Sequence, residues 1–490
     1  MRWMRMVIPL GATALVAVPI AQPAGGSGDL LQPITRSTSK SVRYKQPRML
    51  QPMNLHETGS ATVPNMPNVV LITVDDMAAS DLSWMPYTQR LIGNKGATLT
   101  DFVANHPLCA PARAEIITGQ YAQNNGVRHN GGTHGGFDAL RGGSKLPNWL
   151  RQEGYDTAFV GKYINGYHRN DGRETGWDVW NAYVRGIYKA YDMVAWDDGR
   201  TRDIHTTDYV GRETQRYIRR FGEEPFFIWS SFVAPHKMVR DGQWYPPLPR
   251  RQLRTADPPS MSKPSFNEPD VSDKPDYVQN ADPVSEDEVT YEYLMRGRSL
   301  KIVDQRVRMI IRSLRRTKML RDTVIMFTSD NGYLMGEHRL MNKNAPYEEA
   351  LKVPFLIRGP GIPSGIERDQ MATMIDIAPT ILDLIDARRQ RPSIDGHTML
   401  PMIHDDAPGY GAVLIQAGTR TDDWRFRGVR TPQYTWVKNS DDDFVELYDR
   451  REDPYQLDNL GEASPMNENL KARFEQLADC SGSDCWQLDE

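Results

Sequence analysis

Three stretches of the chain are continuously apolar, without the alternation typical of a half-exposed strand. Residues 69–74, 225–230 and 324–329 are rich in valine, isoleucine, leucine and phenylalanine. Runs of this kind indicate strands that are buried on both faces, as in a parallel sheet covered by helices. They predict an α/β fold.

The pattern between and after these runs predicts the rest of the architecture. Residues 111–120 open with a proline at the first turn and predict a helix, and residues 287–320 place apolar side chains at helical spacing. From about Gly411 short alternating runs predict a small antiparallel sheet. We expect a main domain over residues 66–410 and a C-terminal subdomain and tail over residues 411–490. Residues 240–285, dense in proline, aspartate, lysine and serine, predict a surface or substrate-facing insertion.

The N-terminal pattern is that of an export signal. Arg2 and Arg5 precede a largely apolar run over residues 6–21, and small residues follow. The run is shorter than the ~20 apolar residues of a membrane span and contains Pro9. We predict a signal peptide over residues 1–26, a flexible leader over residues 27–65, no stable membrane span, and a secreted or periplasmic location.

The composition and net charge of the chain indicate which class of molecule it binds. The 490 residues are 39% hydrophobic, enough for a large core, and the formal net charge is -4. This balance offers no basic stripe for nucleic acid and favours a small-molecule or glycan substrate. Cys480 and Cys485 flank a short loop and are predicted to form a disulfide in an oxidising compartment, which leaves Cys109 as the one cysteine without a neighbour.

Polar clusters follow the predicted strands at the points where the strands end. Asp75 and Asp76 follow the first strand, His236 lies beyond the second, and Asp330 and Asn331 follow the third. Ligands of open α/β sheets bind beyond the carboxyl ends of strands, so we expect one site there. Carboxylate and amide oxygens suit Ca²⁺ or Mg²⁺. For either pair alone, ordinary turn chemistry is the simpler explanation; the two pairs together favour a metal site.

Cys109 begins the pentapeptide Cys-Ala-Pro-Ala-Arg, which ends at Arg113. A small buried thiol is the alternative explanation for such a cysteine. The C-x-P-x-R pattern, however, resembles the signature of type I sulfatases, in which a formylglycine-generating enzyme oxidises the cysteine to Cα-formylglycine. The resemblance extends through Gly161-Lys162-Tyr163, Ala234-Pro235-His236 and Ser329-Asp330-Asn331-Gly332 to Lys343, and its details are closest to the N-acetylglucosamine-6-sulfatase and heparan-sulfate endosulfatase branch.

The resemblance implies a fold like that of alkaline phosphatase, with a mixed, mostly parallel sheet, and hydrolysis of sulfate monoesters. It implies one Ca²⁺ ion held by Asp75, Asp76, residue 109 as formylglycine, Asp330 and Asn331. Arg113 would steady the aldehyde hydrate. Lys162 and Lys343 would bind sulfate, and His236 or Lys343 would protonate the departing alcohol of a carbohydrate sulfate, with aryl sulfates as surrogates.

Some residues depart from this pattern or leave it open. Many arylsulfatases have a histidine two residues after the Gly-Lys lysine, where this chain has Ile164, followed by Asn165. His338 is close enough in sequence to face the pocket, although a surface position is an equal alternative. Seven tryptophans are candidates for stacking on sugar rings or for packing: residues 177, 180, 196, 229, 244, 424 and 436.

Two rival functions use the same residues. A phosphonate or phosphate ester hydrolase of the same superfamily could employ the same aldehyde and metal, because the two esters share tetrahedral geometry. A catalytically silent glycan-binding relative would retain the fold, but the complete motif and both lysines argue against it.

The pentapeptide generates the first prediction. In a host that has the modifying enzyme, the peptide containing residue 109 should be about 18 Da lighter than its cysteine form, or close to the original mass when hydrated, because a carbonyl oxygen replaces sulfur and two hydrogen atoms are lost. Tandem mass spectrometry after aldehyde labelling separates these cases. An unmodified thiol in fully active enzyme would contradict the prediction.

Overall fold

The computed structural model describes residues 66–143, 145–196, 204–222, 224–247, 263–387 and 393–486. The predicted signal peptide and leader lie outside these residues. Among the residues described, no helix is both long and apolar enough to cross a membrane.

Eighteen strands form the sheets of the described chain. Their bounds are β1 Asn68–Asp75, β2 Ala97–Val103, β3 Asp156–Gly161, β4 Val179–Arg185, β5 Val194–Ala195, β6 Phe226–Pro235, β7 Met238–Arg240, β8 Gln243–Tyr245, β9 Thr323–Ser329, β10 Leu334–Met335, β11 Met341–Asn342, β12 Lys352–Arg358, β13 Ile366–Arg368, β14 Ala372–Thr373, β15 Val413–Gly418, β16 Trp424–Arg430, β17 Tyr434–Asn439 and β18 Val445–Asp449.

The main sheet has ten strands in the order β13-β2-β12-β9-β1-β6-β3-β4-β5, with β14 also paired to β2. Strands β1, β3, β4, β6 and β9 are parallel, while β12 runs antiparallel to β2 and β9. In the centre, Val70 pairs with Ile228 on one side and with Ile325 on the other. The predicted α/β class and the mixed, mostly parallel sheet are confirmed.

Eleven α-helices accompany these strands within the described residues. They are α1 Pro86–Leu91, α2 Cys109–Thr118, α3 Ala122–Asn125, α4 Leu146–Gln152, α5 Thr206–Phe221, α6 Asp276–Gln279, α7 Glu286–Arg316, α8 Glu348–Leu351, α9 Ile377–Leu384, α10 Leu400–Asp405 and α11 Asn467–Ala478. The predicted helix over residues 287–320 is slightly shorter, because Lys318 takes a left-handed conformation and a turn leads into β9. Cys109, expected just before α2, is its first residue.

Both faces of the main sheet are covered, which explains the continuous apolar runs. Val69 and Leu71 of β1 belong to a core shared with α2, α4 and α9. Val70 and Ile72 point the other way, into a core shared with α5 and α7. Because successive side chains of a strand alternate between faces, a strand buried on both sides must be apolar at every position.

The C-terminal residues form the predicted antiparallel sheet, in the order β15-β16-β17-β18. Trp436 and Leu447 pack with Leu470 of α11 on one face, and Val413 packs with Val103 of the main sheet on the other. Cys480 and Cys485 form the predicted disulfide. The boundary at residue 410 stays a prediction.

The described part of the proline-rich insertion is more ordered than a surface loop. It contains the hairpin of β7 and β8 and the short helix α6. Lys274 is buried, and its Nζ lies 2.9 Å from Oδ1 of Asp273 and 3.4 Å from Oε1 of Glu268. Nζ of Lys274 also donates to the carbonyl oxygen of Leu457, and Glu268 pairs with His338, so charge-assisted contacts hold the polar segment against the rest of the described chain.

Candidate active site

Strand β1 brings two carboxylates to the carboxyl edge of the main sheet. Asp75 is the last residue of the strand, Asp76 follows it, and both side chains are buried. Asp76 has a φ of 70°, a left-handed conformation that turns the chain out of the strand. Its backbone N–H donates to Oδ1 of Asp330 at 3.2 Å, so the ends of β1 and β9 are joined.

Strand β9 ends in the second polar pair, Asp330 and Asn331. Nδ2 of Asn331 donates to Oδ1 of Asp76 at 2.8 Å. Oδ1 of Asn331 is buried and has no hydrogen-bond partner among the described residues, which is a costly state for an amide oxygen. Burial and the nearby Asp75 raise the pKa of Asp330 to about 6, against the opposing effect of Arg113. Both features are those of an oxygen-lined site that a cation would complete.

Helix α2 brings Cys109 to the same point. Its Sγ lies 3.4 Å from Oδ1 of Asp75 and 3.0 Å from Nζ of Lys343. Burial, reinforced by the charge of Asp75, raises the pKa of the Cys109 thiol to about 12. A thiol that stays protonated is a poor nucleophile. The environment therefore disfavours direct attack by the sulfur atom.

Arg113 lies one turn further along α2 and links three strands of the main sheet. Its Nε donates to Oδ2 of Asp330 at 2.8 Å. Its Nη1 donates to the carbonyl oxygen of Lys162 at 2.7 Å and to Oγ of Ser231 at 2.6 Å. The guanidinium is fully buried, and these charge-assisted bonds hold the ends of β3 and β9 and the middle of β6 in place relative to α2.

Two lysines supply positive charge beside the carboxylates. Nζ of Lys162 lies 2.6 Å from Oδ2 of Asp75, and Nζ of Lys343 contacts Oδ1 of Asp76. Burial lowers the pKa of each ammonium, but the paired aspartates outweigh it and both pKa values are raised. Both lysines are therefore cationic at neutral pH.

His236 follows β6 and turns one ring nitrogen toward this cluster. Nε2 lies 3.6 Å from Oδ2 of Asp76, and Nδ1 lies 2.6 Å from the carbonyl oxygen of Lys237. Because a carbonyl only accepts, Nδ1 carries the proton of the neutral ring. Burial, with Lys343 and Lys162 adding to it, lowers the pKa of His236 to about 3 even though Asp76 opposes the shift. Nε2 is then an acceptor.

The cluster fits a hard divalent cation. Ligand atoms of Asp75, Asp76, Cys109 and His236 all lie within 4.8 Å of one another. The sequence prediction included Asp330 and Asn331 instead of His236. The Asp330 oxygens accept hydrogen bonds from Arg113 and from the backbone of Asp76, so a cation would share these oxygens with those donors. The carboxylates, together with the unpaired oxygen of Asn331, form the oxygen-rich donor set that calcium prefers.

Sequence reasoning missed several residues around this cluster. Ser231, inside β6, accepts from Arg113 and was hidden in an apolar run. Tyr188 stacks on the His236 ring at a centroid distance of 4.3 Å and comes from a loop with no distinctive pattern. Asn165, noted but without a role, donates from Nδ2 to the Tyr188 hydroxyl at 2.9 Å.

His338 was expected either to face the pocket or to lie on the surface, and the structure places it in neither position. It is buried, its Nδ1 lies 2.6 Å from Oε2 of Glu268, and its ring stacks on Tyr347 at 4.0 Å. The histidine therefore joins the insertion to the segment that follows β9, away from the solvent.

Comparison with known protein families gives two matches. Residues 67–387 match the family model described as sulfatase. Residues 336–481 match the model for the C-terminal region of N-sulphoglucosamine sulphohydrolase. Together these two matches span the main domain and the C-terminal sheet.

Curated relatives are similar at moderate identity. A putative extracellular sulfatase of Caenorhabditis elegans is 29% identical over 363 residues, which cover 70% of this chain and 50% of that protein, so the chain spans half of that relative's length. The human N-acetylglucosamine-6-sulfatase is 27% identical over 497 residues, which cover 87% of each chain. A choline-sulfatase of Rhizobium meliloti is 26% identical over 470 residues, 84% of this chain and 86% of that one.

Solved structures share the fold. BT4656, solved in complex with its substrate D-glucosamine-2-N,6-O-disulfate, superposes with a TM-score of 0.67 at 21% identity over 86% of this chain and 98% of that one. The phosphonate monoester hydrolase of Agrobacterium radiobacter superposes with a TM-score of 0.64, also at 21% identity, over 86% of this chain and 96% of that one. The fold alone therefore does not separate the two kinds of ester.

The Arg113 contacts generate a stability prediction. Arg113→Ala should lower the free energy of unfolding by about 3–5 kcal/mol, because Asp330 would stay buried without its charge partner. Arg151→Ala is the control, since it breaks an exposed pair with Asp178 at 3.1 Å and should cost less than about 1 kcal/mol. Urea denaturation measures both. A loss for Arg113→Ala no larger than the control would contradict the linking role.

Proposed function

The chain belongs to the sulfatase family of sulfuric ester hydrolases, and we propose that it cleaves carbohydrate sulfate monoesters with a formylglycine made from Cys109 and one calcium ion. The observation that carries the proposal is the contact of Cys109 with both signs of charge: Asp75 on one side and Lys343 on the other. A residue at this point would meet a metal on the carboxylate side and a sulfate anion on the ammonium side.

The proposed cofactors match what the residues provide. A formylglycine at position 109 supplies, when hydrated, two hydroxyls on one carbon, one to attack sulfur and one to restore the aldehyde. Calcium would be held by Asp75, Asp76, Asp330 and Asn331 together with residue 109, and supplies charge that favours ionised oxygen. The protonated state of the Cys109 thiol supports a modified residue over a thiolate nucleophile.

The two lysines are proposed to bind the sulfate group. Lys162 and Lys343 are cationic and buried on either side of the Asp75 and Asp76 carboxylates. A divalent cation would compete with both ammonium groups for the same oxygens, which would leave the ammonium groups available to an anionic substrate. Lys343 also contacts Sγ of Cys109, so it is the better placed proton donor to the departing alcohol.

His236 is proposed to accept a proton, which differs from the donor role first expected for it. Its Nδ1 is committed to the carbonyl oxygen of Lys237, so Nε2 of the neutral ring presents a lone pair toward Asp76 and the site. Ile164, which stands where many arylsulfatases have a histidine, is buried in the core and offers no acceptor. His236, which follows β6, is therefore proposed as the proton acceptor of the site.

The substrate class and location rest on supporting observations. Relatives named for glucosamine sulfate esters are similar over nearly the whole chain, which favours a sugar as the alcohol. The disulfide between Cys480 and Cys485 suits an oxidising compartment outside the cytoplasm. The extracellular sulfatases among the relatives agree with secretion.

Leaving-group kinetics test the assignment of Lys343. Lys343→Ala should slow hydrolysis of a sugar sulfate by ~10²–10⁴-fold more than that of nitrophenyl sulfate, because a phenolate leaves with little proton assistance. Lys162→Ala is the matched control: it removes a buried ammonium that contacts Asp75 and not Cys109, and both substrates should slow alike.

Three outcomes would revise the proposal. A leaving-group difference in His236→Ala, absent from Lys343→Ala, would return the donor role to His236. Faster turnover of phosphonate or phosphate esters than of every sulfate ester would favour the rival hydrolase. Binding of sulfated sugars without turnover, in protein shown to contain formylglycine, would favour the silent relative.

A further inference from the structure

Trp244 differs from the other tryptophans that the sequence marked as candidates for sugar stacking. Its side chain is 55% exposed. Trp177, Trp180, Trp229 and Trp436 are buried, and the remaining two are partly buried. Packing therefore accounts for the other six candidates but not for Trp244, whose large apolar face is open to solvent.

The exposed indole lies beside the proposed catalytic residues. Trp244 sits on β8, in the hairpin that directly follows His236. Its ring centroid is 5.6 Å from the His236 ring and 5.3 Å from the Tyr188 ring. Tyr188 in turn stacks on His236, and Nζ of Lys162 lies 5.0 Å from the Tyr188 ring centroid. A continuous aromatic surface thus leads from the lysine to the solvent.

The surrounding structure holds this surface in place. The backbone N–H of Val239 donates to the carbonyl oxygen of Tyr188 at 2.8 Å, which joins the hairpin to the Tyr188 loop. The Tyr188 hydroxyl receives a hydrogen bond from Asn165. On the hairpin, the Arg240 guanidinium lies over the Tyr245 ring at 4.7 Å. Tyr188 and Trp244 are therefore fixed relative to each other, as a preorganised binding surface requires.

The chemistry next to the aromatic surface indicates the class of ligand. The inner end of the aromatic surface is cationic, since Nζ of Lys162 lies over the Tyr188 ring. A pyranose sulfate offers an apolar C–H face for an indole and an anion for this ammonium group. An acyclic alkyl sulfate offers the anion but no ring face.

We propose that Trp244 and Tyr188 form a platform for the pyranose ring that carries the sulfate. This inference rests on the proposed sulfatase function and adds the shape of the alcohol to it. Trp244 then determines specificity by binding the sugar ring, and it takes no part in proton transfer.

Substitutions at Trp244 separate ring recognition from chemistry. Trp244→Ala should raise KM for N-acetylglucosamine 6-sulfate about tenfold, the typical effect of one lost stacking contact, while kcat stays within about threefold. Trp244→Phe should recover most of the loss. KM for 2-hydroxyethyl sulfate, an acyclic ester with no ring and no cationic group that an aromatic face would attract, should not change in either variant. Tyr455→Ala, an exposed aromatic outside this surface, is the control and should leave both substrates unaffected.

The two proposals fail in different ways. If wild type cleaves sulfate esters and Trp244→Ala affects both substrates equally, or neither, the platform is overturned and the sulfatase assignment stands. If wild type cleaves no sulfate ester, calorimetric binding of the sugar sulfate still decides: weaker binding by Trp244→Ala than by wild type supports the platform, and equal binding overturns it.

Discussion

The balance of buried charge at one edge of the main sheet is the constraint on which the site depends. Three carboxylates, of Asp75, Asp76 and Asp330, meet three cations, of Arg113, Lys162 and Lys343. A buried charge is tolerated only when it is paired. The ends of β1, β3, β6 and β9 must therefore stay in register, because each brings a member of this set or a group that bonds to one.

The C-terminal sheet also depends on paired buried charges, and its charged contacts reach the part of the chain that carries Lys343. Arg430 on β16 is fully buried and binds Asp101 of β2 at 3.0 Å and Glu348 of α8 at 2.8 Å. Glu348 follows the segment that brings Lys343 to the site. The Arg430 guanidinium therefore connects the C-terminal sheet both to the helix that follows Lys343 and to strand β2 of the main sheet, which stabilises the position of the Lys343 segment.

The sequence predicted what depends on local pattern. Continuous apolar runs specified the central strands, and polar residues at their ends specified Asp75, Asp76, Asp330 and Asn331, because parallel strands must end at a common edge. Ser231 was missed since a serine inside an apolar run carries no signal. Tyr188 and Trp244 were not placed because loop positions depend on tertiary packing. Which ring nitrogen of His236 carries the proton is decided by the carbonyl oxygen of Lys237, and no sequence pattern reveals that contact.

We propose that a divalent cation binds the carboxylates and leaves the two lysines free to bind the substrate. Anomalous diffraction from crystals of the formylglycine-containing enzyme grown with calcium tests it most directly. We predict one calcium ion per chain bonded to oxygens of Asp75, Asp76, Asp330, Asn331 and residue 109, with the Lys162 and Lys343 ammonium groups no longer paired to Asp75 and Asp76. An active enzyme whose lysines remain paired to Asp75 and Asp76, with no ion beside residue 109, would contradict it.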